Sequence, residues 1–359
     1  MKREYGLDLL KMTAMAMVVA YHILQSGGVE GKLSGADVPH LECAFRCFCY
    51  CAVDCFVMAT GYIMCRHTFK YIRIFRLWRQ VVGYSLAIAT VAWVVLPAGS
   101  VGWRDWAGAV MPIVFNRYWF FTEYAALFFC IPFLNRMLGA LTGREQCVLV
   151  ASGFGILSVM PFVAGLDLFF VKWGYSLIWF LYLYLLGAIL ALGNFREKIA
   201  TGWIWLLLAV GLCGSFGGEV VSPFLSARLG GGARLSELAW SYASPTMVLE
   251  AVALLLLFAR IDVRSERLGK VIGLIAPSTF VVYVVHSNDN FRQIVRWKSC
   301  FLGLADMGEV GAVIGTAIFA VAIFIVVVCV DLARRVIVSQ MPRGGFGGHE
   351  KRMRESHHR

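Results

Sequence analysis

Hydrophobic residues in this chain gather into long unbroken runs, and the polar residues between them form short connecting stretches. Runs of bilayer-spanning length, about 20 mainly apolar residues, lie near 7–26, 44–65, 77–97, 118–138, 147–165, 174–193, 201–216, 238–259, 269–287 and 310–333. The pattern predicts an all-α integral membrane protein with about ten transmembrane helices. Asp8 and Lys11 interrupt the first run and no small-residue cleavage site follows it, so it reads as a retained span rather than a signal peptide. The connecting stretches 27–43, 98–117, 217–237 and 288–309 are too short to form domains, and 217–237 reads as loop from its Pro and Gly cluster. Residues 1–340 form one membrane domain on this reading. The tail 341–359 is basic and glycine-rich, a disordered cytoplasmic segment.

Composition sharpens this. Of 359 residues 59% are hydrophobic and only 15% charged, too few charges to cover a soluble protein of that size. Net charge is +11, and with the N-terminus inside, 23 of the 33 Lys and Arg fall on the cytoplasmic set of loops and ends. The positive-inside rule then puts both termini in the cytoplasm, which needs an even number of spans. Anionic lipid explains the basicity, and no nucleic-acid patch is required. Cys43, Cys47, Cys51 and Cys55 recur every four residues with Cys49 between them. No CxxC pair or His cluster accompanies them, so they read as small packing residues and no metal is expected.

Candidate chemistry begins in the first run. Lys11 and His22 are eleven residues apart, which returns a helix to within about 20° of its starting face and separates the two by roughly 16 Å along the axis. Asp8 joins the same stripe, suggesting an ion pair with Lys11 near the inner surface. The stripe also fits a snorkelling Lys11 and a His22 bonded to a neighbouring helix. In the second run Asp54 and Gly61 share a face, with Thr60 beside Gly61. A lone Asp in an apolar run costs roughly 2.5–3.5 kcal/mol on insertion scales, so it needs a partner. The Thr-Gly pair serves either helix packing or ligand access. Arg73, Arg76 and Arg79 recur every third residue at the cytoplasmic mouth, where guanidinium forks suit phosphate oxygens. Tyr118, Trp119 and Tyr124 read as an interfacial aromatic belt. Glu123 is a candidate acid or base, and His286 a lone histidine at the outer edge of the ninth run.

Taken in order, these segments resemble the membrane-bound acyltransferase 3 family, which O-acylates bacterial surface carbohydrates. Asp8, Lys11 and His22 resemble that family's opening helix. Asp54, Phe56, Thr60 and Gly61 are similar to its Asp-x-Phe-x-x-x-Ser-Gly pattern, with Thr in place of Ser. Arg73 and Arg76 look like its arginine pair, Trp119-Phe120 with Pro132 like its Trp-Phe-Leu…Pro span, and Tyr283 with His286 like its late Tyr-Leu-x-His element. The likeness runs from residue 5 to about 335. Glu123 stands four residues after Trp119 where many members have Glu at five.

The resemblance implies an inner-membrane enzyme that moves an acyl group, most often acetyl, from acyl-CoA to a hydroxyl of an envelope polysaccharide, glycolipid or lipid-linked sugar. It implies His22, Glu123 and His286 as catalytic groups. Lys11, Arg73, Arg76, Asp8, Asp54, Thr60, Gly61 and Trp119 would serve the donor or acceptor. No cofactor is expected beyond acyl-CoA as a substrate, and no hydrolase-like domain is seen after the membrane core. Homo-oligomerisation is left open. The rival readings are a proton-coupled transporter or flippase using His22 and Asp54, an acyltransferase acting on a lipid or peptidoglycan precursor, and a membrane sensor.

Overall fold

The computed structural model describes residues 3–34, 40–229 and 241–340, with 222–229 described by backbone alone. Among the described residues all regular structure is helical. The principal elements are α1 (Tyr5–Ser26), α2 (Val29–Leu33), α3 (His40–Tyr50), α4 (Ala52–Met64), α5 (Ile72–Val95), α6 (Trp103–Val110), α7 (Trp119–Ala140), α8 (Gly143–Phe154), α9 (Met160–Ala164), α10 (Leu177–Leu192), α11 (Phe195–Lys198), α12 (Thr201–Leu229), α13 (Pro245–Ala259), α14 (Glu266–Ile275), α15 (Thr279–His286), α16 (Asp289–Ile294), α17 (Trp297–Phe301) and α18 (Gly308–Gln340).

Each of the ten apolar runs coincides with a helix or a broken helix. Among the described residues seven of these are long and apolar enough to cross a membrane, or eight if Leu168–Gly174 and Leu177–Leu192, bent by 77°, count as one span. The 22 residues of α7 fall outside that set and carry Glu123 and Arg136, while α13 has only 15 residues. Residues 217–229, expected as loop, continue α12 instead. The loop expectation for 230–237 and the tail 341–359 lie outside the described residues. Large apolar side chains stand exposed on helix after helix, among them Val94, Phe133, Val163, Trp203 and Ile318. Such a surface suits lipid, where every backbone polar group must be paired within its own helix.

The bundle is organised around α1, which touches α3, α4, α13, α15 and α18. Close backbone approach sets much of the packing. A Cβ on Gly61 would collide with the carbonyl oxygen of Tyr184, and one on Gly187 with that of Met58. Two glycines facing each other's helix therefore let α4 and α10 lie almost backbone to backbone, the small-residue packing common between membrane helices. Gly6 does the same for α1 against the carbonyl of Phe258. The five cysteines from Cys43 to Cys55 are buried, and Cys47 and Cys51 sit one turn from one another at the α3–α4 junction.

Polar pins tie the helices where apolar packing cannot set rotation. Asp331 of α18 is fully buried and accepts from Tyr84 (2.7 Å), Ser278 (2.8 Å) and Arg334 (2.7 Å), with Arg335 at 2.5 Å. That cluster joins α5, the segment before α15 and α18. Asn135 donates to the Met64 carbonyl (3.1 Å) and accepts from Tyr184 (2.7 Å), linking α7, α4 and α10.

Candidate active site

The Lys11–His22 stripe survives folding, because both residues ride on one continuous helix, and each lines a cavity. Towards the start of α1, Arg3, Asp8 and Lys11 border a cavity of about 260 Å³ with Phe56, Leu77, Tyr124 and Phe280. Deeper, His22 borders a cavity of about 90 Å³ whose walls are largely aromatic: Tyr21, Phe56, Trp119, Tyr175, Tyr242 and Tyr283. Phe56 lines both. The Lys11 amine lies 5.3 Å from the centre of the Phe56 ring, a cation held against a π face. One ring therefore stands between a polar compartment and an aromatic one.

The Asp8 carboxylate pairs with Arg3 (2.6 Å) rather than forming the expected bridge to Lys11. The Lys11 amine is turned along α1 towards Phe56 instead. A three-residue offset would have allowed the Asp8–Lys11 pair, but Arg3 reaches the carboxylate from the chain just before the helix.

Around His22 the fold assembles groups that are far apart in sequence. Nη2 of Arg292, on the short helix α16, lies 3.1 Å from Nδ1 of His22, and its Nε donates to the backbone carbonyl of His286 (2.9 Å). The His22 and His286 rings are 5.1 Å apart between centres. Trp297 donates its indole N–H to the His22 carbonyl (3.2 Å), and the Arg292 guanidinium lies 5.7 Å from the Trp297 ring centre.

These partners fix protons. A guanidinium has donors only, so Nδ1 of His22 meets it with a lone pair, and the neutral ring carries its proton on Nε2. Nδ1 of His286 faces the Val282 carbonyl at 2.6 Å, an acceptor only. Nδ1–H therefore belongs to His286, and its Nε2 lone pair faces the Ser287 hydroxyl at 3.4 Å. His286, expected as a lone histidine at the outer edge of its run, is the last residue of α15 and is fully buried beside His22.

The second motif divides differently from its expected binding role. Asp54 is fully buried and accepts from the Trp179 indole (3.1 Å). Thr60 donates back to the Phe56 carbonyl (3.0 Å) and meets the Tyr124 hydroxyl (3.3 Å). Gly61 serves the α4–α10 contact. None of the three lines either cavity along α1, so the member that reaches open space is Phe56.

The aromatic trio is also not a belt. Tyr118 is buried and bonded to Ser85 (2.9 Å) and Asn288 (2.7 Å). Trp119 lines the His22 cavity and packs on Tyr175 at 4.4 Å. Tyr124 lines the Lys11 cavity. Helix α7 turns this face inward because α5, α10 and α15 supply partners there. Glu123, one turn inside α7, lines neither cavity, and its charged neighbour is Lys172. Arg73 and Arg76 stand exposed on α5. Arg73 reaches the Met64 sulfur (3.3 Å), and Leu77, one turn on, lines the Lys11 cavity. Among the described residues no group of three or more His, Cys, Asp or Glu could hold a metal ion.

Sequence reasoning missed Arg292, Trp297, Tyr175 and Tyr242. Arg292 and Trp297 lie in a stretch read as a connection, and Tyr175 and Tyr242 among the first residues of two apolar runs, where neither periodicity nor spacing marks a residue as lining a site.

A cavity at Arg3 and Lys11, an aromatic cavity that shares Phe56 with it, and a histidine pair beside the second thus lie in order along α1. The acyltransferase domain family matches residues 4–333, nearly the whole chain. The chain belongs to the acyltransferase 3 family. No curated protein and no solved structure matches it. As a multi-pass membrane acyltransferase it has His22, the residue at the end of its Lys-x10-His element, at the centre of the only histidine pair among the described residues.

Proposed function

We propose that this acyltransferase moves a short acyl group, acetyl above all, from acyl-CoA to a hydroxyl of a bacterial envelope polysaccharide, glycolipid or lipid-linked sugar, from the cytoplasmic membrane and with both termini inside. The observation that carries this reading is the order of features along α1: a cationic cavity at Arg3 and Lys11, the Phe56 ring, then His22 in an aromatic chamber. A phosphorylated thioester suits that order. Its phosphates lie at the cytoplasmic mouth, held by Arg73 and Arg76, its pantetheine arm passes Lys11 and Phe56, and its carbonyl stops near His22.

In the reaction the acceptor hydroxyl attacks the thioester carbon. A C–O bond forms, the C–S bond breaks, and the hydroxyl proton passes to His22 and from there to the departing thiolate of coenzyme A. The atom of His22 that takes the proton is Nδ1, whose lone pair faces Arg292, so Arg292 must release it as the acceptor arrives. His286, with its proton committed to Val282, supports the ring from the far side. A covalent acyl-histidine relay would use the same lone pair. A transporter using Asp54 as a proton-coupling group is disfavoured by the bond that ties this carboxyl to Trp179 (3.1 Å).

Mass analysis of envelope glycans from cells with and without the gene tests the proposal. The expected result is the loss of one ester of defined mass when the gene is absent. Unchanged glycan esters, together with no release of coenzyme A by the purified protein, would overturn it.

A further inference from the structure

At the Ser26 end of α1, opposite the Lys11 cavity, lies a wide cavity of about 520 Å³ to which neither the sequence nor the family assigns a role. Its lining includes Ser26, Asp289, Arg292, Arg296, Trp297 and Lys298. Three cations face it against one carboxylate.

Two observations connect it to the chemistry. Arg292 lines this cavity and also bonds to Nδ1 of His22 (3.1 Å), so one guanidinium touches both. Gln25, which lines the His22 cavity, is the neighbour of Ser26, which lines this one. Arg296 is moreover held at φ +50°, in the left-handed region that a residue with a Cβ disfavours. That conformation lies directly between Val295 and Trp297, where the chain turns to bring α17 over His22.

We propose that this cavity is the acceptor subsite, and that the acceptor carries an anionic group, phosphate or carboxylate, next to the sugar that receives the acyl group. The inference rests on the acyl-transfer reading above. Arg296 and Lys298 draw the anion to the mouth and Arg292 takes it in bidentate fashion. The neighbouring hydroxyl then lies towards His22. Donor and acceptor enter from opposite ends of α1.

The test uses the full chain in lipid nanodiscs with acetyl-CoA and three acceptors of equal sugar length. One is linked to a polyprenyl diphosphate, one contains a uronate, and one is neutral. Acylated product is read by mass and coenzyme A release by free thiol. The KM for an anionic acceptor should be at least about tenfold below that of the neutral one at low salt. That gap should close as ionic strength rises and the Debye length falls to about 10 Å at 0.1 M. Whichever anionic arm shows the preference identifies its source. The double substitution Arg296→Glu with Lys298→Glu should abolish the preference, and the milder Arg296→Gln should reduce it. Equal KM values for all three acceptors, or a preference insensitive to both salt and substitution, would overturn the subsite. Native mass spectrometry of the three acceptors without donor decides the same point independently of turnover. Binding preference without coenzyme A release would leave the subsite standing and sink the acyl-CoA reading instead.

Discussion

Nη2 of Arg292 lies 3.1 Å from Nδ1 of His22, a bond between side chains 270 positions apart. It fixes the rotation of the imidazole and decides which nitrogen presents a lone pair. The Arg292 Nε is anchored on the His286 carbonyl (2.9 Å), so one side chain joins both histidines and can stay docked there when its Nη2 releases Nδ1 of His22.

Replacing His22 with Ala should abolish glycan acylation, lowering turnover by the 10²–10⁴-fold typical of a lost general base. Arg292→Ala should leave the protein folded and reduce kcat by about 10²-fold through misplacement of the ring. Steady-state release of coenzyme A checks both. Wild-type turnover in H22A would discard the assignment of the base.

Glu123→Gln should change turnover by less than about threefold, because the carboxylate lines neither cavity beside α1. A loss near that of H22A, in the same assay, would return Glu123 to the machinery and require α7 to rotate during the cycle.

Gly61→Ala should destabilise the bundle by about 1–3 kcal/mol, the usual cost of overpacking a tight contact, since the added Cβ meets the Tyr184 carbonyl. A lowered melting temperature in detergent is the expected reading. Retained stability with lost activity would instead mark Gly61 as a ligand contact.

Asp331→Asn should cost about 3–5 kcal/mol, the range for removing one partner from a buried ionic cluster. Its carboxylate bonds Tyr84, Ser278 and Arg334, with Arg335 beside it. Limited proteolysis should then release α18 first.

Alkaline phosphatase fused after Ser34 should be active and fused after Arg264 inactive, because the basic residues favour the opposite side for the start of α1. The reverse pattern would place the Lys11 cavity outside the cell, away from any coenzyme A.

The amino-acid sequence by itself determined the helices and the faces within each helix. Lipid forces every backbone group to bond inside its own segment, so run length located the long apolar helices. It did not locate the short α2, α6, α16 and α17, nor the extension of α12 past residue 216. The 3.6-residue period put Lys11 and His22 on one stripe of α1. What only the tertiary structure decided was which helix meets which. Gly61 and Gly187 are legible as small residues, but that each faces the other's helix is a property of the packed pair. Tyr118, Trp119 and Tyr124 carry the composition of an interfacial belt, yet neighbouring helices turn them inward. Arg292 was invisible because its role comes from a bond to His22 made across 270 residues, and no local pattern encodes a contact that exists only once α1, α15 and α16 have come together.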